Sequence, residues 1–291
     1  MNYGYRGAVL IAIAVSMHPL CAVTQQKQFP PEQLREDLAI LHSSLEEGHA
    51  GFYRYTSKEE MDLVFERAHQ TINGPMTELD FYRLLLPVVA AVNDGHTGLI
   101  GSRELEGYMR RQPILLPFKL AFVSGNAYLH RNYSDRTDLM MGGELLSLNG
   151  TSMDEIVTTM LAALPSDGRV QTSKYRRLES TNSFGDIYSR LFGVTTAFEL
   201  DYRSPDDGSI QSIVVDGVTA EELIRRFEDR YPDAASVERN RPPVELTYID
   251  DIPVLTVRTF GGRTISSAGI DYPAFLRSTF EELAERRASS L

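Results

Sequence analysis

Cysteine is almost absent from this sequence of 291 residues, which contains only Cys21, and tryptophan is absent altogether. One cysteine cannot form an intramolecular disulfide, and it leaves the rest of the chain without thiolate chemistry. Long basic runs are also missing: Lys and Arg occur at most in pairs such as Arg110-Arg111, and the formal net charge is -11. This balance argues against nucleic acid as a partner.

Hydrophobic runs are short too, and the clearest one lies at the start of the chain. Arg6 supplies a positive charge, residues 8–15 are apolar, and Leu20-Cys21-Ala22 offers a cleavage site. This pattern predicts a signal peptide over residues 1–23, because a bilayer span needs about 20 apolar residues. We therefore expect export to the periplasm or the medium, with no membrane span. A lipid anchor at Cys21 is disfavoured, because the large residue Leu20 precedes it.

Three amphipathic helices are predicted in a helical N-terminal domain over residues 30–100. Pro30-Pro31 introduces the first helix, Ser57 begins the second in a capping box with Glu60, and Thr77 begins the third. One apolar stripe of the first helix contains Leu34, Leu38, Leu41 and Leu45.

The third helix ends in Asn93-Asp94-Gly95-His96-Thr97, where the helical pattern gives way to an extended one. Asn and Asp can cap a helix end, and Gly95 tolerates the positive φ of such a turn. His96 follows the turn, and histidine can transfer protons near neutral pH. Taken alone, His96 is better explained as a partly buried histidine that hydrogen-bonds to a carbonyl. His49, in an earlier Gly-flanked loop, is interpreted as a surface residue.

Residues 113–193 are predicted to form a second module. Two short strands flank Ser124-Gly125-Asn126, which is a hairpin signal, and a further strand after Gly142-Gly143 ends in the turn Asn149-Gly150. A helix follows, capped by Ser152. This order resembles the carboxylate-binding half of a PDZ-like domain.

In PDZ-like modules a peptide adds as a strand beside a groove, and loop N–H groups hold its terminal carboxylate. The resemblance therefore implies that this module binds a polypeptide substrate or a peptide C-terminus. An ordinary β-β-α unit without a ligand is the alternative. The candidate peptide-binding residues are Gly142, Gly143, Leu145 and Leu146.

The remaining residues, 194–291, contain two predicted hairpins and a last helix over residues 272–287. The segment 229–243, rich in charge and proline, is predicted to be a linker. Ser266-Ser267-Ala268-Gly269 is interpreted as a loop, because no apolar strand leads into it.

The order of elements resembles the tail-specific, or carboxyl-terminal processing, serine peptidases. The segments that carry the resemblance are the helical domain ending in Asp94-Gly95-His96-Thr97, residues 142–150, Pro165-Ser166-Asp167-Gly168 and residues 254–260. The resemblance implies an α+β fold with a three-helix domain, a PDZ-like module and a crotonase-like core of βαβ units. In its tricorn-like branch a histidine assists the catalytic serine, so His96 is implied as a general base or charge-relay residue.

In that family an apolar strand and a Gly-rich turn lead to the serine, after the part matched by residues 254–283. We expect residues 194–291 to be an incomplete start of the core, lacking the nucleophile and able to self-associate. The predicted function is a serine-type peptidase acting on exported proteins; the alternative is a non-catalytic protein that binds peptide C-termini. A metal site using Asp94 and His96, joined by His49, lacks supporting ligand spacing. No metal and no cofactor are therefore predicted.

Overall fold

A computed structural model of the protein describes residues 27–139 and 141–286. The predicted signal peptide and Cys21 lie outside the described residues, so export and the anchor stay predictions. In this described part of the chain, no helix is both long and apolar enough to cross a membrane.

The protein alternates helical stretches with short antiparallel strands, which confirms the α+β class. The helices are α1 (Pro31–Gly48), α2 (Lys58–Thr71), α3 (Glu78–Ala90), α4 (Arg103–Arg111), α5 (Met153–Ala163), α6 (Thr172–Leu178), α7 (Ser183–Phe192), α8 (Ala220–Arg230), α9 (Pro232–Asn240), α10 (Gly262–Ser267) and α11 (Tyr272–Glu285). The strands are β1 (Gln28–Phe29), β2 (Met76–Thr77), β3 (Phe118–Val123), β4 (Asn126–Asn132), β5 (Glu144–Leu148), β6 (Thr151–Ser152), β7 (Ala197–Arg203), β8 (Ile210–Asp216), β9 (Val244–Ile249) and β10 (Ile252–Val257).

The first three helices form a helical unit around a core of their own. The Ser57 hydroxyl accepts the Glu60 N–H, and the Glu60 side chain accepts the Ser57 N–H, which completes the predicted capping box. Thr77 caps α3 through its hydroxyl, which accepts the Asp80 N–H. The buried residues of this core are Leu34, Leu38, Phe52, Met61, Phe65, Ala68, Ile72, Leu85, Val88 and Val92.

The main sheet is antiparallel, with the strand order β3-β4-β5-β7-β8 and the short β6 paired to β5. Its buried face packs against α5 and α7, in a core that includes Leu145, Ile156 and Tyr188. β7 and β8 belong to this sheet, so it continues across the boundary expected after residue 193. Hydrogen bonds between neighbouring strands, which sequence patterns do not reveal, decide this placement.

The helices α4 and α9 were not predicted from the sequence. α4 follows the helical unit, and α9 occupies most of the segment 229–243 that was predicted to be a linker. The linker prediction was wrong because Pro232 stands at the first turn of α9, where a missing N–H costs nothing. Tyr231, next to it, accepts the backbone N–H of Asn132 through its hydroxyl.

The last strands, β9 and β10, pair with each other in a separate two-stranded sheet. Every strand pair that the structure describes is antiparallel. A βαβ unit requires parallel strands, so none is formed within the described ranges. Ser266 and Ser267 lie in α10 rather than in the predicted loop, and the Ser266 hydroxyl donates to the Gly262 carbonyl at 2.6 Å.

Candidate functional site

The turn after α3 brings the predicted His96 segment to the surface. Its left-handed residue is Asn93, with φ 56°, and not Gly95 as the sequence indicated. The Asn93 side-chain amide donates to Thr56 Oγ1 at 3.0 Å and to the Ala91 carbonyl at 2.9 Å. These two bonds fix the turn, because Asn tolerates this conformation when its side chain bonds locally.

His49 is part of this site, although the sequence indicated only a surface loop residue. Its Nδ1 accepts the Gly51 N–H at 3.2 Å, so Nε2 carries the proton. Nε2 lies 3.0 Å from Asp94 Oδ2 and 2.9 Å from Thr97 Oγ1. The side chain is 19% exposed. With both ring nitrogens engaged, His49 positions Asp94 and has no free nitrogen for a ligand.

Asp94 is the centre of the network. The Thr97 hydroxyl donates to its Oδ2 at 2.6 Å, and the His96 backbone N–H donates to its Oδ1 at 3.2 Å. The hydrogen bonds from Thr97, then from His49 and the His96 N–H, lower the Asp94 pKa from 3.8 to about 2. Asp94 is therefore a carboxylate at neutral pH.

The His96 ring is 93% exposed, and its Nδ1 lies 3.7 Å from Asp94 Oδ1. It is thus not the partly buried histidine that the sequence favoured. Carboxylates beside the Nδ1 of a histidine hold the ring in position and leave Nε2 free to act as a base. In the part of the chain that the structure describes, no serine hydroxyl forms a hydrogen bond with this ring.

Asp167 reaches the same turn from a loop 72 residues further along the chain. Its Oδ1 accepts the Gly95 N–H at 2.8 Å, and the Gly168 N–H donates to the Asn93 carbonyl at 2.8 Å. Gly95 allows this approach, because a Cβ there would lie 3.1 Å from Asp167 Oδ1. One donor atom each from Asp94, His96 and Asp167 lie within 4.8 Å of one another.

The predicted peptide-binding strand is placed where no peptide can add to it. β5 is hydrogen-bonded to β4 on one side and to β7 on the other. The Gly142 N–H donates to the Leu129 carbonyl at 2.7 Å, and the Gly143 carbonyl accepts the Leu129 N–H at 2.9 Å. Leu145 is 2% exposed, and Leu146 lies at an irregularity between β5 and β7. The prediction of strand addition at Gly142, Gly143, Leu145 and Leu146 is therefore corrected.

β3 is one of the two edge strands of the main sheet. The sequence did not indicate it as a peptide-binding strand. The Phe122 N–H of β3 donates to Glu179 Oε1 at 3.1 Å. The Phe122 ring packs against Tyr175 of α6, with centroids 5.4 Å apart. A carboxylate thus already accepts a main-chain N–H at an edge strand, beside aromatic side chains.

No protein-family model matches this chain, and no curated protein matches it in sequence. The solved structures that match include mature CPAF, at 16% identity, and mature CPAF complexed with lactacystin, at 18% identity. CPAF is a chlamydial serine protease related to tail-specific proteases. Each match covers 64% of this chain and 34% of the other, with a TM-score of 0.43. A likeness this low carries no argument about fold or activity.

The class of this protein is therefore defined by the structure of the described residues and not by the comparisons. This is an α+β protein in which the turn after α3 and the loop after α5 meet at a carboxylate–histidine site. No hydrolytic activity follows from that class alone.

Proposed function

We propose that this chain carries the general base of a serine-type peptidase of the tail-specific family, acting on exported proteins. The observation that supports the proposal is the Asp94–His96 pair, with Oδ1 and Nδ1 3.7 Å apart and the ring open to solvent. A serine is activated when a histidine takes its proton, and a carboxylate behind the histidine stabilises the imidazolium that forms.

The rest of the network prepares Asp94 for this role. His49 and Thr97 bind Oδ2, so the other oxygen, Oδ1, faces His96. The low pKa of Asp94 keeps the carboxylate charged at neutral pH. In this proposal a serine of this chain reaches the exposed His96 ring, so labelling of the purified protein would correct the expectation that the nucleophile is missing. Ser266 is not assigned this role, since its hydroxyl donates within α10.

The proposal is tested with a serine-directed fluorophosphonate probe on the purified protein, followed by peptide mapping of the labelled serine. We expect wild type to be labelled and His96→Ala to be labelled at least about 100-fold more slowly, the usual contribution of a general base. His130→Ala is the matched control, because His130 is an exposed histidine of β4. Equal labelling of wild type and His96→Ala, or no labelling of wild type, would refute the proposal.

A non-catalytic protein that binds peptide C-termini is the second candidate, and the β3 edge favours it. The Glu179 carboxylate accepts the Phe122 N–H, as the terminal carboxylate of a bound peptide could. Few main-chain hydrogen bonds leave little surplus over the cost of association, so we expect dissociation constants on the order of micromolar.

Calorimetry with matched free-acid and amidated peptides tests this second candidate. Free-acid peptides should bind more tightly, and Glu179→Ala should strengthen their binding by freeing the Phe122 N–H. Glu155→Ala, which removes an exposed acid from α5, should leave binding unchanged. Equal affinity for the two peptide forms would exclude a C-terminus reader.

A further inference from the structure

We propose that Asp94, His96 and Asp167 bind a divalent transition-metal ion of the zinc type. One imidazole nitrogen and one oxygen from each carboxylate lie within 4.8 Å of one another. Imidazole nitrogen and carboxylate oxygen are both zinc ligands, and three protein ligands with a water in the fourth position form a common open site. The inference goes beyond the proposed function and does not require it, because an inactive protein would still bind the ion.

The three ligands come from two chain segments that are already fixed against each other. Asp167 is held at the turn by the Gly95 N–H, and the neighbouring Gly168 N–H is bonded to the Asn93 carbonyl. The Gly95 bond uses Oδ1 of Asp167, and its other oxygen remains available for an ion. The donor set is thus assembled by the fold and not by a local sequence motif.

Only a small rearrangement is needed to close the site. Bonds of about 2.0–2.2 Å in a tetrahedral zinc site put neighbouring ligand atoms roughly 3.3 Å apart. The donors must therefore approach by up to about 1.5 Å. The His96 ring can supply most of this movement by rotation, because it is 93% exposed and packs against no core.

Charge at this point of the surface also favours a cation. Two carboxylates lie within 4.8 Å of each other, and such neighbours repel each other unless a cation lies between them. Among the described residues, the ion-pair contacts of Asp94 are with His49 and His96, and no lysine or arginine pairs with Asp94 or Asp167.

His49 and Thr97 are not ligands in this proposal, but both hydrogen-bond to the ligand Asp94. By binding Asp94 Oδ2 they leave Oδ1 directed toward His96. Groups that hydrogen-bond to a ligating carboxylate orient it and commonly affect metal affinity by 10–100-fold. The metal site considered in the sequence analysis had His49 as its third ligand. In this proposal the third ligand is Asp167.

Isothermal titration of the purified protein with Zn²⁺ tests the proposal directly. We expect one ion per chain in wild type, and at least tenfold weaker binding in His96→Ala and in Asp167→Asn. The asparagine keeps an oxygen to accept the Gly95 N–H, so the turn should be retained. His130→Ala and Asp206→Asn, at exposed positions away from the cluster, are the matched controls and should bind as wild type.

Circular dichroism verifies that each variant is folded, and the visible absorption of bound Co²⁺ gives a second readout of tetrahedral coordination. Unchanged zinc affinity in either His96→Ala or Asp167→Asn would overturn the proposal. Equal weakening by His130→Ala, or no binding of zinc by wild type at millimolar concentration, would overturn it as well. None of these results depends on hydrolytic activity, so they are distinct from a failure of the proposed function.

Discussion

The Nε2 atom of His49 lies 3.0 Å from Asp94 Oδ2, although 45 residues separate the two in sequence. The contact ties the loop between α1 and α2 to the turn after α3 and fixes the orientation of the carboxylate. Both proposals depend on that orientation, because Asp94 Oδ1 must face His96.

Acid should weaken the fold through Asp94. Its pKa is lowered to about 2 in the folded protein from an ordinary value of 3.8. A carboxylate with a lowered folded-state pKa stabilises the protein above its unfolded pKa, and that contribution is lost as pH falls through the folded pKa. The free energy of unfolding should therefore decrease from about pH 4 to about pH 2, as measured by urea unfolding.

Asp94→Asn should remove part of the decrease in unfolding free energy between about pH 4 and about pH 2 and leave the rest. Asp138, whose pKa is lowered to about 2 chiefly by the Arg136 side chain, contributes in the same range. Asp138→Asn is therefore the comparison, and the double variant should be flatter than either single one. An unchanged slope in Asp94→Asn would contradict the hydrogen-bond network around this carboxylate.

Replacing the buried Arg190 should destabilise the fold more than replacing an exposed arginine. It forms two hydrogen bonds with Glu106 of α4, at 2.9 and 2.8 Å, and one with Asp186 at 2.9 Å, while its side chain is only 10% exposed. Arg190→Ala leaves both acids without this partner, and we expect it to cost about 2–4 kcal/mol of unfolding free energy. Guanidinium unfolding measures the loss.

The control for Arg190 is Arg176→Ala. The Arg176 side chain is 86% exposed and lies 3.7 Å from Glu179, so its loss should change stability by about 0.5 kcal/mol or less. Equal effects of the two substitutions would show that the buried contacts of Arg190 do not stabilise the fold.

Two helical glycines should respond to alanine in opposite directions. A Cβ on Gly185 would lie 2.6 Å from the Leu116 backbone nitrogen and 2.8 Å from Leu115 Cα, so Gly185→Ala should destabilise by about 1–3 kcal/mol through overpacking. On Gly107 of α4 the nearest atom is the flexible end of Arg111, at 3.4 Å. Gly107→Ala should stabilise by about 0.5–1 kcal/mol. Thermal unfolding measures both effects. Stabilisation by Gly185→Ala would contradict the close packing of α7, and destabilisation by Gly107→Ala would contradict the open space at α4.

Amide hydrogen exchange should be faster in the β9–β10 sheet than in β5. Among the residues that the structure describes, β9 and β10 pair only with each other, whereas β5 has hydrogen-bonded neighbours on both sides. A two-stranded ribbon is marginally stable by itself. Exchange measured by mass spectrometry should show Val244–Ile249 less protected than Glu144–Leu148. Equal protection would mean that the last strands are held by more than their own pairing.

Self-association through the same region remains a prediction. Ile249, Ile252 and Phe280 are exposed apolar side chains of β9, β10 and α11, and such patches favour contact between chains. Sedimentation velocity should show concentration-dependent association in wild type and less of it in Ile252→Lys. Ile40→Lys, at an exposed apolar residue of α1, is the control and should associate as wild type.

The sequence alone determined the elements whose signals are local. The capping box at Ser57 and the cap at Ser152 start the helices that were predicted there, because the bonds run between residues three apart. The turn at Ser124-Gly125 joins β3 and β4 as expected, with φ values of 52° and 90°. Such features need no information from elsewhere in the chain.

Only the tertiary structure decided which residues share the site and which strand has a free edge. Asp167 joins the His96 turn across 72 residues, and Glu179 reaches Phe122 across 57. β5 is covered on both sides because β7, beyond the expected boundary, pairs with it. These contacts are set by how α3, the main sheet and the loop after α5 pack together. Neither periodicity nor capping patterns contain that information.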